Sequence, residues 1–396
     1  MKIKLTVGFL ITLLFFISCG HNTNTKADKN VDNIQTTDSA KIKIGREEVK
    51  VIPPINPLYD DVAKYIAGMT VQSSKVIDTA LTNDPIWKEY ATNFDKSWRK
   101  LDTTKIVKMK KWRDKELKEL SYKTVFYPFS GADFLNGFIF FPTADKYILV
   151  GLEPVGTLPD FQKGMPKDSL AAYFQEVNRS LYAIINFSFF RTKSMKADFK
   201  NKDLNGTIHL ILLFMERTGN SIVDIKPVDV NENGEISPIQ NGTTVSNKGV
   251  EIDFVNSDSV LKKAYYFSVN LDNEHLNKNQ NFTTFINQQN DVVTYIKSAS
   301  YLMHASYFSA IRDLILNKSK YVLEDDSGIP YRYFKTDEWT PTFYGKYSGA
   351  ISLFPNKFQK DLDSCYKNNT SPKPLDFGIG YKYKVGESNL LLFKKK

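Results

Sequence analysis

Between residues 297 and 334 the hydrophobic pattern changes period twice. Tyr301, His304, Phe308, Ile311 and Ile315 recur at three- and four-residue steps, which puts them on one helix face. Ser300 stands where a hydroxyl caps a first turn, so the spacing predicts a helix from there to about Asn317. Tyr321, Val322 and Leu323 read as a short buried strand. Glu324, Asp325, Asp326, Ser327, Gly328 and Pro330 follow as an acidic loop of turn-forming residues.

Elsewhere the pattern predicts helices over 55–120 and 166–186, with Asn83-Asp84-Pro85 as a start signal and Thr103-Thr104 as an interruption. Residues 209–217 are apolar enough for a buried helix or strand. Strands are expected at Val125–Tyr127, Tyr147–Gly151, Ile222–Val230, 249–255 and 262–270. Gly378–Lys384 and Asn389–Phe393 read as a terminal hairpin turning at Gly386-Glu387-Ser388. Helices and short strands without regular βαβ alternation predict an α+β fold, a largely antiparallel mixed sheet with packed helices, preceded by an N-terminal helical segment.

The N-terminus changes the picture most. Met1-Lys2-Ile3-Lys4 is basic, Leu5 to Ile17 is apolar but too short to span a bilayer comfortably, and Phe16-Ile17-Ser18-Cys19 follows. This resembles a bacterial lipoprotein signal peptide, with Phe16 where leucine is usual. The resemblance implies cleavage before Cys19 and acylation of its thiol and new amino group. The protein would then be lipid-anchored in the cell envelope, at the outer membrane facing the periplasm. The expected organisation is a signal peptide at 1–18, a flexible polar tether at 19–52, a helical segment at 53–120 and a main α+β domain at 121–396. With Cys19 acylated, only Cys365 remains and no disulfide can form within the chain. A hydrophobic fraction of 42% supplies an ordinary core instead.

Charge is local. Residues 96–118 hold ten Lys/Arg against three Asp/Glu, a net of +7 within a chain of net +9. On a lipid-anchored protein this points to a solvated helix face, or to an anionic envelope surface or protein partner, and not to nucleic acid.

Candidate chemistry is sparse. G-x-S-x-G, H-E-x-x-H, P-loop and G-x-G-x-x-G motifs are absent, and His21, His209, His275 and His304 lack metal-ligand spacing. No metal and no cofactor are implied. Asp229 to Ile236 resembles the first part of a calcium loop, but Gln240 stands where a bidentate glutamate is needed, and Asn233-Gly234 reads as a hairpin turn. Ser259-Val260-Leu261-Lys262 fits S-x-x-K without its partner motifs. Trp339, Phe343, Tyr344 and Tyr347 either pack a late strand or line a binding face. Asp133 and Glu153 are carboxylates in apolar surroundings, where function and shifted pKa values occur; Asp133 also suits a helix cap, and Glu153 a pairing with Arg191. An enzyme reading clusters Lys297, Ser298, His304, Asp325 and Asp326, with Asp133 or Glu153 brought in by the fold; His304 is the general base, oriented by Asp325 or Asp326, and Ser298 or a water the nucleophile. The plain alternative makes His304 a core residue and the acidic run a turn.

The runs YPFSGADFL, YILVGLEPVG, SFFRT, ERTGN, KSASYLMH and DDSGIPYRYF are long and unusual. From about Tyr127 to Phe393 they resemble an uncharacterised family of bacterial envelope proteins, many of them lipoproteins. The resemblance implies an envelope location and no activity. The expected function is a ligand- or partner-binding module, with an envelope hydrolase as the alternative.

Overall fold

A computed structural model describes residues 54–72, 74–187, 204–239, 247–368 and 372–396. The expectations for Cys19, the tether and Arg191 lie outside these residues. Among them run ten strands: β1 (Thr124–Tyr127), β2 (Lys146–Gly151), β3 (Ser221–Val230), β4 (Ile236–Pro238), β5 (Gly249–Val255), β6 (Leu261–Ser268), β7 (Val292–Ile296), β8 (Tyr321–Glu324), β9 (Trp339–Gly345) and β10 (Asn389–Lys395). They form one sheet in the order β4-β3-β5-β6-β2-β1-β7-β8-β10-β9. The fold is α+β with a mixed sheet, as the sequence predicts. Five of the nine ladders are antiparallel, and the four that join β6, β2, β1, β7 and β8 are parallel and central.

Side chains alternate cleanly between the two faces of the sheet. Val125, Tyr127, Tyr147, Leu149, Val293 and Tyr295 enter one core. Helices α1 (Pro57–Ile66), α3 (Pro85–Leu101), α4 (Val107–Glu116), α5 (Phe134–Phe140), α6 (Lys167–Phe187) and α7 (Ile208–Arg217) cover it; α2 (Thr79–Asn83) precedes α3. Phe126, Ile148, Val150, Val292 and Ile296 enter the second core, beneath α8 (Asn273–Lys278), α9 (Gln280–Asn287), α10 (Ser309–Lys318) and α11 (Lys360–Asn368).

The N-terminal helices form for the reasons the sequence gives. Asp84 accepts the Ile86 N–H at 2.8 Å, and Pro85 opens α3. Trp98, Leu101, Met109 and Trp112 point inward. At Thr103-Thr104 the helix widens into a π turn, Asp102–Ile106, and does not stop. The two hydroxyls donate back to the carbonyls of Arg99 (2.8 Å) and Lys100 (2.6 Å), which opens the turn. Asn233-Gly234 turns β3 into β4, as expected of a hairpin.

Two expectations are corrected. The α-helix expected from Ser300 begins only at Ser309, after two 3-10 turns, Leu302–His304 and Ser306–Phe308. Ser298, Ser300 and Tyr301 have φ of 53°, 52° and 54°, the left-handed region that no L-residue helix uses. The Ser300 N–H is held by the Tyr381 hydroxyl at 3.1 Å, and the Tyr301 hydroxyl donates to Asp326 at 2.7 Å; these tertiary bonds override the local period. The terminal hairpin is replaced by β10 inserting between β8 and β9, leaving residues 378–384 with one isolated bridge, Ile379 to Lys382. Of the two alternatives for Trp339, Phe343, Tyr344 and Tyr347, the structure takes the packing one: all four are buried in and beside β9.

Chain direction fixes where a site can lie. From β1 the chain passes through α5 on one face to β2; from β7 it passes through α10 on the opposite face to β8. The strand order therefore reverses between β1 and β7, and open parallel sheets bind ligands outside the carboxyl ends of strands at such a point.

Candidate functional site

The loops leaving β1, β2, β6 and β7 enclose a cavity of about 620 Å³ at this reversal. Its floor, the buried part of the lining, carries Asp133, Glu153 and Lys297 with Ser298 beside them; its mouth, the more exposed part, carries Phe129, Leu152, Leu353 and Phe354, and buried Phe308 lines the wall. The two-residue period of a strand places the floor. Val293 and Tyr295 face the α5 core, so Lys297, two residues on, projects to the same side. Tyr127 reaches it in the same way from β1.

Asp133 is the N-cap of α5, accepting the Asn136 N–H at 3.1 Å. The Asn136 side-chain amide donates to both carboxylate oxygens, at 2.9 and 3.0 Å. The Tyr127 hydroxyl donates at 2.8 Å, and Lys297 Nζ lies 2.6 Å from the same Oδ2. Side chains of this ion pair are only 2% and 1% exposed. Burial, with Asp133 next, holds the Tyr127 phenol well above its ordinary value, so it stays a donor. Behind the pair, on the π turn, burial and then Lys297 push the Lys105 ammonium down to about 7, against the opposing pull of Asp133.

Glu153 is differently placed. It is buried, and its Oε2 accepts the Leu152 N–H at 3.1 Å, with the Tyr266 hydroxyl at 3.5 Å. Among the described residues no cation lies within ion-pair distance of it. Gly131 and Gly151 make room for the carboxylate; a Cβ on Gly151 would stand 2.4 Å from Oε2.

Backbone strain gathers at the same place. Of six non-glycine residues with positive φ among the described residues, Phe129 follows β1 and Ser298, Ser300 and Tyr301 follow β7. Such conformations cost about 1–3 kcal/mol each and persist where the surroundings over-determine them. Asp325 is one of those surroundings. Its Oδ2 accepts the Ser298 N–H at 3.0 Å and its Oδ1 the Ser327 N–H at 3.0 Å and the Ser327 hydroxyl. Burial, then Asp326, raises the Asp325 carboxyl to about 6. Ser298 Oγ is buried and without a hydrogen-bond partner.

The structure therefore brings Asp133, Glu153, Lys297 and Ser298 together and sets Asp325 behind Ser298. Asp326 is turned away, its carboxylate taken by Tyr301 (2.7 Å) and Asn389 (2.9 Å). His304 does not reach either carboxylate. Its Nε2 is buried without a hydrogen-bond partner, its ring stands edge-on to Tyr301, and burial, then Lys357 and Arg332, lowers it to about 4. The expected His304–Asp325/Asp326 base pair does not form. Tyr127, Lys105, Phe354 and Tyr381 were not singled out by the sequence; only YPFSGAD and YILVGLEP, with glycines at strand exits, signal the cavity.

No family model matches the chain, and no curated protein or solved structure shows significant similarity to it.

Proposed function

We propose that the protein is a ligand-binding module of the cell envelope, anchored by acylated Cys19 and holding a small amphipathic molecule in the cavity between β1 and β7. One observation carries the reading: a ligand-sized cavity at the strand-order reversal, apolar at its mouth and charged at its floor. Strained residues at the exits of β1 and β7 support it. The anchor rests on the lipoprotein-like N-terminal sequence. Exposed Lys96, Lys100, Lys110, Lys111 and Lys118 offer a basic face toward an anionic envelope surface or partner.

Native mass spectrometry of protein drawn from its own envelopes tests the cavity. We expect a bound small molecule on the wild-type chain and none on Leu302→Trp, which fills the cavity from its wall. A wild-type chain that carries nothing and takes up no amphipathic probe contradicts the reading.

A second reading, an envelope hydrolase, draws on Ser298, whose unpartnered hydroxyl sits on a strained residue in the cavity. Covalent labelling of Ser298 by a fluorophosphonate would favour it; an unlabelled Ser298 returns the site to binding alone.

A further inference from the structure

We infer that the cavity selects a ligand carrying a cationic amine on an apolar body, with Glu153 as the counter-ion. The inference rests on the ligand-binding reading and narrows it to a charge.

The first argument is what the cavity lacks. An anion would need several free donors, yet the backbone N–H groups of seven lining residues are already spent, and among the described residues the Ser298 hydroxyl is the unused donor beside them. Ser130 and Gly131 donate to the Val150 carbonyl, Leu152 to Glu153, and Val269 to the Gly151 carbonyl. Ser298, Ala299 and Ser300 donate to Asp325, Ser327 and Tyr381. Lys297, the one ammonium among the described lining residues, is held by Asp133 at 2.6 Å.

The second argument is what the cavity offers. Asp133 and Lys297 neutralise each other, which leaves the Glu153 carboxylate uncompensated among the described residues. A buried carboxylate without a cation is costly to keep, and a bound ammonium would offset that cost. The unused Ser298 hydroxyl can turn its lone pairs to an ammonium beside Glu153. Phe129, Phe308, Phe354 and Tyr381 supply apolar surface and aromatic rings, which suit the body of such a ligand and favour a cation near their faces. Gly131 and Gly151 keep the approach to the carboxylate open, since side chains there would crowd it.

The test uses the full chain in detergent and isothermal titration at pH 7 with three probes that differ at one end: 2-phenylethylamine, 2-phenylethanol and phenylacetate. We expect the amine to bind about tenfold or more tightly than the alcohol, the difference one charge-assisted hydrogen bond supplies, and phenylacetate not to bind. Glu153→Gln should bring amine and alcohol to the same affinity, and retained alcohol binding shows that this variant is folded. Alcohol or acid binding as tightly as amine overturns the charge assignment and leaves the cavity reading standing. If none of the three binds, the cavity reading falls with it. The wild-type series decides the question even if Glu153→Gln does not fold.

Discussion

Lys297 and Asp133 have exchanged water for each other, for Tyr127 and for Asn136, so neither can be removed alone without stranding a buried charge. Lys297→Met is expected to cost about 3–5 kcal/mol in urea unfolding. Adding Asp133→Asn should recover part of that loss, because the remaining group is then neutral and still caps α5. A double variant as unstable as the sum of the singles would show that the pair is not coupled. His209 gives a separate check. It is fully buried, its Nδ1 is 3.0 Å from the Tyr173 hydroxyl, and burial lowers it to about 3. A base depressed in the folded state stabilises fully above its unfolded pKa of about 6.5 and loses that contribution as pH falls toward 3. The stability gap between wild type and His209→Gln should therefore shrink on acidification, by at most about 1.4 kcal/mol per pH unit. A gap that is flat between pH 7 and 4 contradicts the buried neutral imidazole.

At the level of elements, what could be read from the sequence was what is local. The runs at Thr124–Tyr127 and Lys146–Gly151 are apolar and bounded by turn residues, and Asp133 after Ser130-Gly131 looks like the cap it is. Asp133 or Glu153 could be expected near Lys297, but not which of them pairs with it, because the order of β1 and β7 in the sheet decides that. His304 was legible as part of a continuous α-helix, but it closes a single 3-10 turn, Leu302–His304: its three-four spacing is real, and bonds from Tyr381 and to Asp326 hold the preceding residues left-handed. The place of β10 between β8 and β9 depends on pairing across the chain, which a hairpin pattern does not reveal. The exit of β7 also gives a test of strain. Ser298 holds φ of 53° and its hydroxyl makes no bond, so Ser298→Gly should stabilise the fold by about 1 kcal/mol. Reduced ligand or probe binding in the same variant would show that the strained serine is kept for the site. A Ser298→Gly chain that is less stable removes the strain argument.

For the whole molecule, two layers of helices and a ten-stranded sheet leave a charged floor at one point, the reversal between β1 and β7. The proposed anchor gives that cavity an address. Cys19→Ala should release the protein from the membrane fraction and abolish labelling by a radioactive fatty acid; a variant that stays membrane-bound points to an anchor other than acyl chains. The most direct measurement is a crystal structure of the protein taken from its own envelopes, without added ligand. Non-protein density is expected in the cavity, with a polar group at Glu153 and an apolar part against Phe354 and Phe308. A cavity holding only ordered water, or closed by the chain's own side chains, would contradict the ligand-binding reading.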